Sequence, residues 1–128
     1  MTTLAGGVKH RRQMTPVTRP ISWLKAALKE FETFPQTAQS ICLAALTIAA
    51  EGGKADLAKP MHGMGSGVFE IALPHTGNAF RVVYAVQLGA DIWVVHAFQK
   101  KSTHGIKTPR RETDLVRYRL QRLKELLA

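Results

Sequence analysis

Three apolar segments, GVFEIAL, AFRVVYAVQL and DIWVVHAFQK, follow one another with only the turns PHTGN and GA between them. Successive side chains of a strand point to opposite faces, so segments that alternate in this way lie in a sheet, and short turns make neighbours pair antiparallel. Everything else in the chain has to accommodate this three-stranded meander. The alternation also predicts register, because a slip of one residue would turn the apolar set outward. Phe69, Ile71 and Leu73, then Phe80, Val82, Tyr84 and Val86, then Trp93, Val95 and Ala97 share one buried face if Leu73 lies opposite Phe80 and Val86 opposite Trp93. The other face then carries Glu70, Val83 and His96 in one row and Ala72, Arg81 and Phe98 in the next, with Lys100 diagonal to Arg81.

Ahead of the meander, PISWLKAALKEF begins with the strand-like alternation of Ile21 and Trp23 and turns helical through Leu24, Leu28 and Phe31. Pro35 breaks that helix and opens a second, which runs through Ile41, Leu43, Ala44, Leu46 and Ile48 and ends at Gly52-Gly53. The short break predicts an antiparallel helical hairpin. HGMGSG, His62 to Gly67, precedes a strand instead of opening a helix and reads as a flexible connection. Pro109 to Leu127 reads as a last helix, with Leu115, Leu120, Leu123, Leu126 and Leu127 along a rough face. Residues 1–19 show no hydrophobic period and read as a flexible basic tail, within which Met14 offers an alternative start; residues 20–128 form the single domain. The expected class is α+β, a small, mostly antiparallel sheet with an N-terminal helical hairpin and a C-terminal helix.

A chain of 128 residues buries roughly two thirds of its unfolded surface, enough for one core. Its charge bounds the partner. A formal net charge of +9 draws polyanions, and nucleic acid is the commonest. Half of the 18 lysines and arginines fall between Lys100 and Lys124, offset there only by Glu112 and Asp114. Cys42 is the one cysteine, so neither a disulfide nor a cysteine-based zinc site is available, and its apolar helical context suits a small buried thiol. The five histidines lack metal-ligand spacing, so no metal and no other cofactor is expected. No stretch approaches the roughly 20 apolar residues that span a bilayer, so a cytoplasmic location without membrane attachment is expected.

Arg81, His96, Lys100 and Glu70 thus converge on one sheet face, and the loop beyond it adds Lys101, His104, Lys107, Arg110 and Arg111. Lys59 and His62, ahead of the meander, extend the candidate binding set. Such a site suits a phosphodiester: Arg and Lys offset charge growing on phosphoryl oxygens, and Glu or His moves protons. Plainer readings stand beside this one. Arg81 and Glu70 make an ordinary salt bridge, His96 a satisfied core histidine under the last helix, and the lysine run a solvated face.

Four stretches, KPMHGMGSGVFEI, FRVVYAV, WVVHAFQKKS and TPRRETDLVRYRL, in this order and spacing, resemble the RelE/ParE toxin superfamily, and within it the phage-derived HigB-like branch. The resemblance covers Ile21 to about Leu126. It implies a RelE-like fold and the toxin of a type II toxin-antitoxin pair, an mRNA interferase working on the ribosome without metal. In that chemistry the 2′-hydroxyl attacks the adjacent phosphate, leaving a 2′,3′-cyclic phosphate and a 5′-hydroxyl. Arg81 matches the strand arginine that contacts the phosphate, and Lys100 and Lys101 fall where the family places a basic residue at the leaving group. RelE itself has two lysines where this chain has Glu70 and Ala72, so Glu70 or His96 replaces its general base; Tyr118 lies too far into the last helix to match the C-terminal tyrosine of RelE. The implied partners are a HigA-like helix-turn-helix antitoxin and mRNA on the ribosome. A ParE-like inhibitor of DNA gyrase and a non-catalytic nucleic-acid-binding module are the alternatives.

Overall fold

The computed structural model describes residues 18–75, 78–101 and 107–128. The meander is present as β3 (Val68–His75), β4 (Asn78–Ala85) and β5 (Ile92–Lys100), paired antiparallel. Two short strands complete the sheet. β1 (Ile21–Trp23) joins β5 in parallel, and β2 (Ala58–Pro60) joins β3 antiparallel, giving the order β1-β5-β4-β3-β2. The sequence pattern misses β2, because three residues are too few to show a period; Pro60 is tolerated there because the strand is an edge.

Register follows the alternation over most of the sheet: Leu73 lies opposite Phe80, Glu70 opposite Val83, Val83 opposite His96 and Arg81 opposite Phe98. It fails beyond Val83. His96 faces Val83 but Val94 faces Tyr84, so Val95 is an extra residue, and Trp93 lies opposite Ala85 instead of Val86. A β-bulge of this kind switches every residue past it to the other face. Ile92 and Val94 therefore join Ile71, Val82 and Tyr84 in one core, while Trp93 and Val95 join Val68, Val83 and Ala85 in a second. The expectation that Trp93 and Val95 share the face of Val82 is corrected accordingly.

Each face is covered by helix. α1 (Lys25–Phe31) lies along β5, and α2 (Gln36–Ala50) crosses β3, β1 and β5, so both find their main contacts on the sheet. Pro35 stands at the cap of α2, where its missing N–H costs nothing, and Gly52 takes a φ of +95° just past its end. The buried side of α2 is built from Ala38, Cys42, Ala45, Leu46, Ala49 and Ala50, small enough for close approach to the sheet. Ile41, Leu43 and Ile48 stay substantially exposed. Cys42 is fully buried, and burial pushes its thiol up to about 11, which leaves it a packing residue.

The opposite face is closed by α3 (Arg110–Leu127), whose Val116, Leu120 and Leu123 pack on Val83, Val95, Met61 and Met64. Burying an aliphatic side chain of this size contributes about 1.5–3 kcal/mol. The connection at 62–67 proves to be a held hairpin loop. Met61 N–H donates to Val68 O at 2.9 Å, Val86 N–H to Gly67 O at 2.8 Å, and Ser66 Oγ to Gln87 Oε1 at 2.9 Å. Near the first of the described residues, Arg19, assigned to the tail from sequence, is held in place: its guanidinium donates to Val86 O and Asp91 O and its Nε to Ala90 O. Among the described residues no helix is long and apolar enough to cross a membrane.

Candidate functional site

β4 is the central strand, and Arg81 lies on it buried, only 6% exposed. Its cross-strand neighbour on β3 is the small Ala72, which leaves room for the guanidinium to reach the next position of the same face, Glu70. Arg81 NH1 donates to Glu70 Oε1 at 3.0 Å and to Thr108 Oγ1 at 3.1 Å, and the Thr108 hydroxyl donates to Glu70, with its oxygen 2.8 Å from Oε2. A buried charge is sustained only when paired and hydrogen-bonded. This three-way contact meets that need and ties the segment before α3 to the sheet.

Thr108 was not among the expected site residues. A threonine before a proline reads locally as a helix start, and nothing in its neighbourhood announces a contact 38 positions away.

Glu70 and Thr108 form part of the wall of a cleft of about 530 Å³ that lies between the 62–67 loop and α3. Met61 and Met64 line it as well, and His62, Lys107, Arg110 and Arg117 supply its polar rim. Lys59 is exposed on β2, paired in register with Glu70. Lys100 is buried at the end of β5, opposite Ala79, and by alternation shares the face of Phe98 and Arg81. Lys101 is exposed one residue on. His104 lies outside the described residues.

His96 belongs to a different cluster. It is 2% exposed, with Nε2 at 2.6 Å from Glu112 Oε1 and Nδ1 at 2.9 Å from Arg119 NH1 and 3.2 Å from Glu30 Oε1. When Arg119 donates to Nδ1, Nε2 carries the proton and donates it to Glu112. Arg119 also grips Glu30 with two parallel bonds, at 2.9 and 3.1 Å, and donates to Val95 O at 3.0 Å. Burial alone would push the Glu30 carboxyl up; the Arg119 hydrogen bond, the electrostatic effect of His96, the Arg119 charge and the Ala97 N–H together hold it below its ordinary value.

The network joins α1, β5 and α3 and lines a second cleft, of about 530 Å³, with Phe98 and Arg111. The expected site residues are thus divided, with Glu70, His62, Lys107 and Arg110 on one cleft and His96 and Arg111 on the other. Among the described residues no group of three or more His, Cys, Asp or Glu side chains is disposed to hold a metal ion.

A family model described as phage-derived protein Gp49-like matches residues 29–121. Among solved structures, the isolated E. coli RelE toxin superposes with a TM-score of 0.53 at 19% identity, over 78% of this chain and 97% of that one. A double arginine-to-alanine mutant of E. coli RelE in the free state superposes with a TM-score of 0.52 at 21% identity, over 63% of this chain and 82% of that one. No curated protein sequence matches the chain.

Proposed function

Because the chain belongs to the family of phage-derived Gp49-like proteins and carries a RelE-like fold, we propose that it is the toxin of a type II toxin-antitoxin pair, an endoribonuclease that cuts mRNA on the ribosome and so stops translation. The observation that carries this reading is the contact of buried Arg81 with Glu70 and Thr108, two residues in the wall of a cleft with a basic rim. A guanidinium held in place by the sheet suits stabilisation of charge that develops on a phosphoryl group, because no reorganisation is needed during reaction.

In the proposed reaction the 2′-oxygen attacks the neighbouring phosphorus, and its proton passes to Glu70. The P–O5′ bond breaks, and the departing oxygen takes a proton from Lys100, while Lys101 adds charge nearby. Arg81 offsets the charge on the nonbridging oxygens. No metal takes part. Of the two expected bases Glu70 is the better choice, because it touches Arg81 and shares a cleft with His62, Lys107 and Arg110, whereas His96 lies on the other cleft, within the Glu30–Arg119–Glu112 network. The cognate antitoxin would be a HigA-like helix-turn-helix protein.

Primer extension on a reporter message in a translation extract tests the reading. Discrete cuts are expected from the native protein and a loss of about a hundred- to a thousandfold from Arg81→Ala, the usual consequence of removing one preorganised donor. Arg81→Lys, which keeps a charge on the buried strand, separates lost chemistry from lost folding. Intact message despite growth arrest would overturn the reading in favour of a ParE-like gyrase inhibitor.

A further inference from the structure

The 62–67 loop carries glycines in alternation at Gly63, Gly65 and Gly67, with φ of +83°, +92° and +75°. These values lie in the left-handed region that side chains disfavour. The loop runs beside one side of α3. A Cβ on Gly63 would lie 3.9 Å from Arg117 NH2, and one on Gly65 3.9 Å from Lys124 Nζ. Arg110, Arg117 and Lys124 are spaced seven residues apart, which is two helical turns, so they follow one another along that side at about 10 Å intervals.

Of the acids nearby, Asp114 is exposed and shared between Arg117, at 3.1 Å, and Arg110, at 3.8 Å, while Glu70 is engaged by Arg81. The stripe is left with an excess of positive charge. Beneath it Met61 and Met64, nearly buried in the second core, present their remaining surface to the cleft. A groove with an apolar floor and a cationic edge has the chemistry of a nucleotide site, in which the flat base lies on the thioethers and the phosphate meets the guanidinium.

We infer that this groove binds single-stranded RNA: one base rests on Met61 and Met64, its phosphate meets Arg117, and the backbone continues toward Lys124. The inference rests on the ribonuclease reading only in that it makes this nucleotide the neighbour of the phosphate at Arg81. It deepens that reading by naming the residues that hold the strand, and it turns the glycine loop into a binding element. The loop is preorganised for this. A Cβ at Gly67 would come within 2.7 Å of Gln87 Cγ, and the hydrogen bonds of Gly67 and Ser66 keep the backbone in place.

The test is fluorescence anisotropy with a short fluorescein-labelled single-stranded RNA methylated at every 2′-oxygen, which cannot be cut because no hydroxyl is left to attack. Arg117→Ala is expected to weaken binding severalfold at low salt and to lower the slope of log affinity against log salt by about 0.7, the value of one phosphate contact on a single strand. Lys29→Ala, the same loss of charge on α1, should leave that slope unchanged. In a second experiment, 4-thiouridine in the same oligonucleotide should crosslink to the peptide spanning residues 60–67.

Equal affinity and slope for Arg117→Ala and the native protein, or crosslinks confined to other peptides, would overturn the inference. The two readings fail separately. Binding through Arg117 with every message left intact sinks the ribonuclease and keeps the groove; Arg81-dependent cutting with Arg117→Ala bound as tightly as native does the reverse.

Discussion

At the residue scale the division between Arg81 and His96 matters most. Both are buried polar groups in adjacent rows of the same sheet face, and alternation alone makes them equivalent candidates. Their partners separate them. Arg81 meets a carboxylate that lines an open, basic cleft, whereas His96 is spanned by groups from two helices. His96→Ala is therefore expected to act on stability: it leaves Glu112 and Arg119 short of a partner in a partly buried site, at a cost of about 1–3 kcal/mol. Urea denaturation measures this loss. A variant of unchanged midpoint that had nevertheless lost RNA cleavage would return His96 to the list of catalytic bases.

At the element scale α2 and β5 show how a chain departs from its own apolar pattern. Large aliphatic residues suggest the buried side of α2, yet the helix turns alanines and Cys42 to the sheet, because backbones approach closely only over small side chains. Ala45→Leu should accordingly cost about 1–3 kcal/mol through overpacking, while Ile41→Ala, on the exposed side, stays within about 0.5 kcal/mol. Thermal unfolding of the two variants checks the assignment, and the opposite ranking would invert the helix. On β5 the alternation is continuous across a bulge that it does not announce. The extra residue at Val95 places it and His96 together toward α3, and gives Arg119 a backbone carbonyl to hold.

For the whole molecule, the contact of Glu30 with Arg119 and His96 couples the helices on the two faces of the sheet through its edge. The Glu30 carboxyl is held below its ordinary value of 4.5, so it binds its proton less readily folded than unfolded. Its contribution to stability is therefore complete above about pH 4.5 and is lost as the pH falls through the lowered folded value. Denaturation midpoints of the native protein and Glu30→Gln should differ near neutrality and converge as the pH is taken well below 4.5. A constant difference over that range would show that the carboxylate charge contributes nothing.

The meander, its register as far as Val83, the cap and stop of α2 and the basic bias of the C-terminal segment were legible from sequence, because each rests on local chemistry: alternation, turn length, proline, glycine and charge. So was the resemblance that implied a RelE-like fold, which the superpositions bear out. Tertiary structure alone decided the rest. β2 is too short to carry a pattern, the bulge is an irregularity within one, and Thr108 and the glycine loop matter for what lies beside them in space. The partition of titratable groups between two clefts was set by where α3 docks, and docking depends on the packing of Val116, Leu120 and Leu123 over residues distant in the chain. Local patterns report which face a side chain takes; only the assembled sheet and helices determine what that face meets.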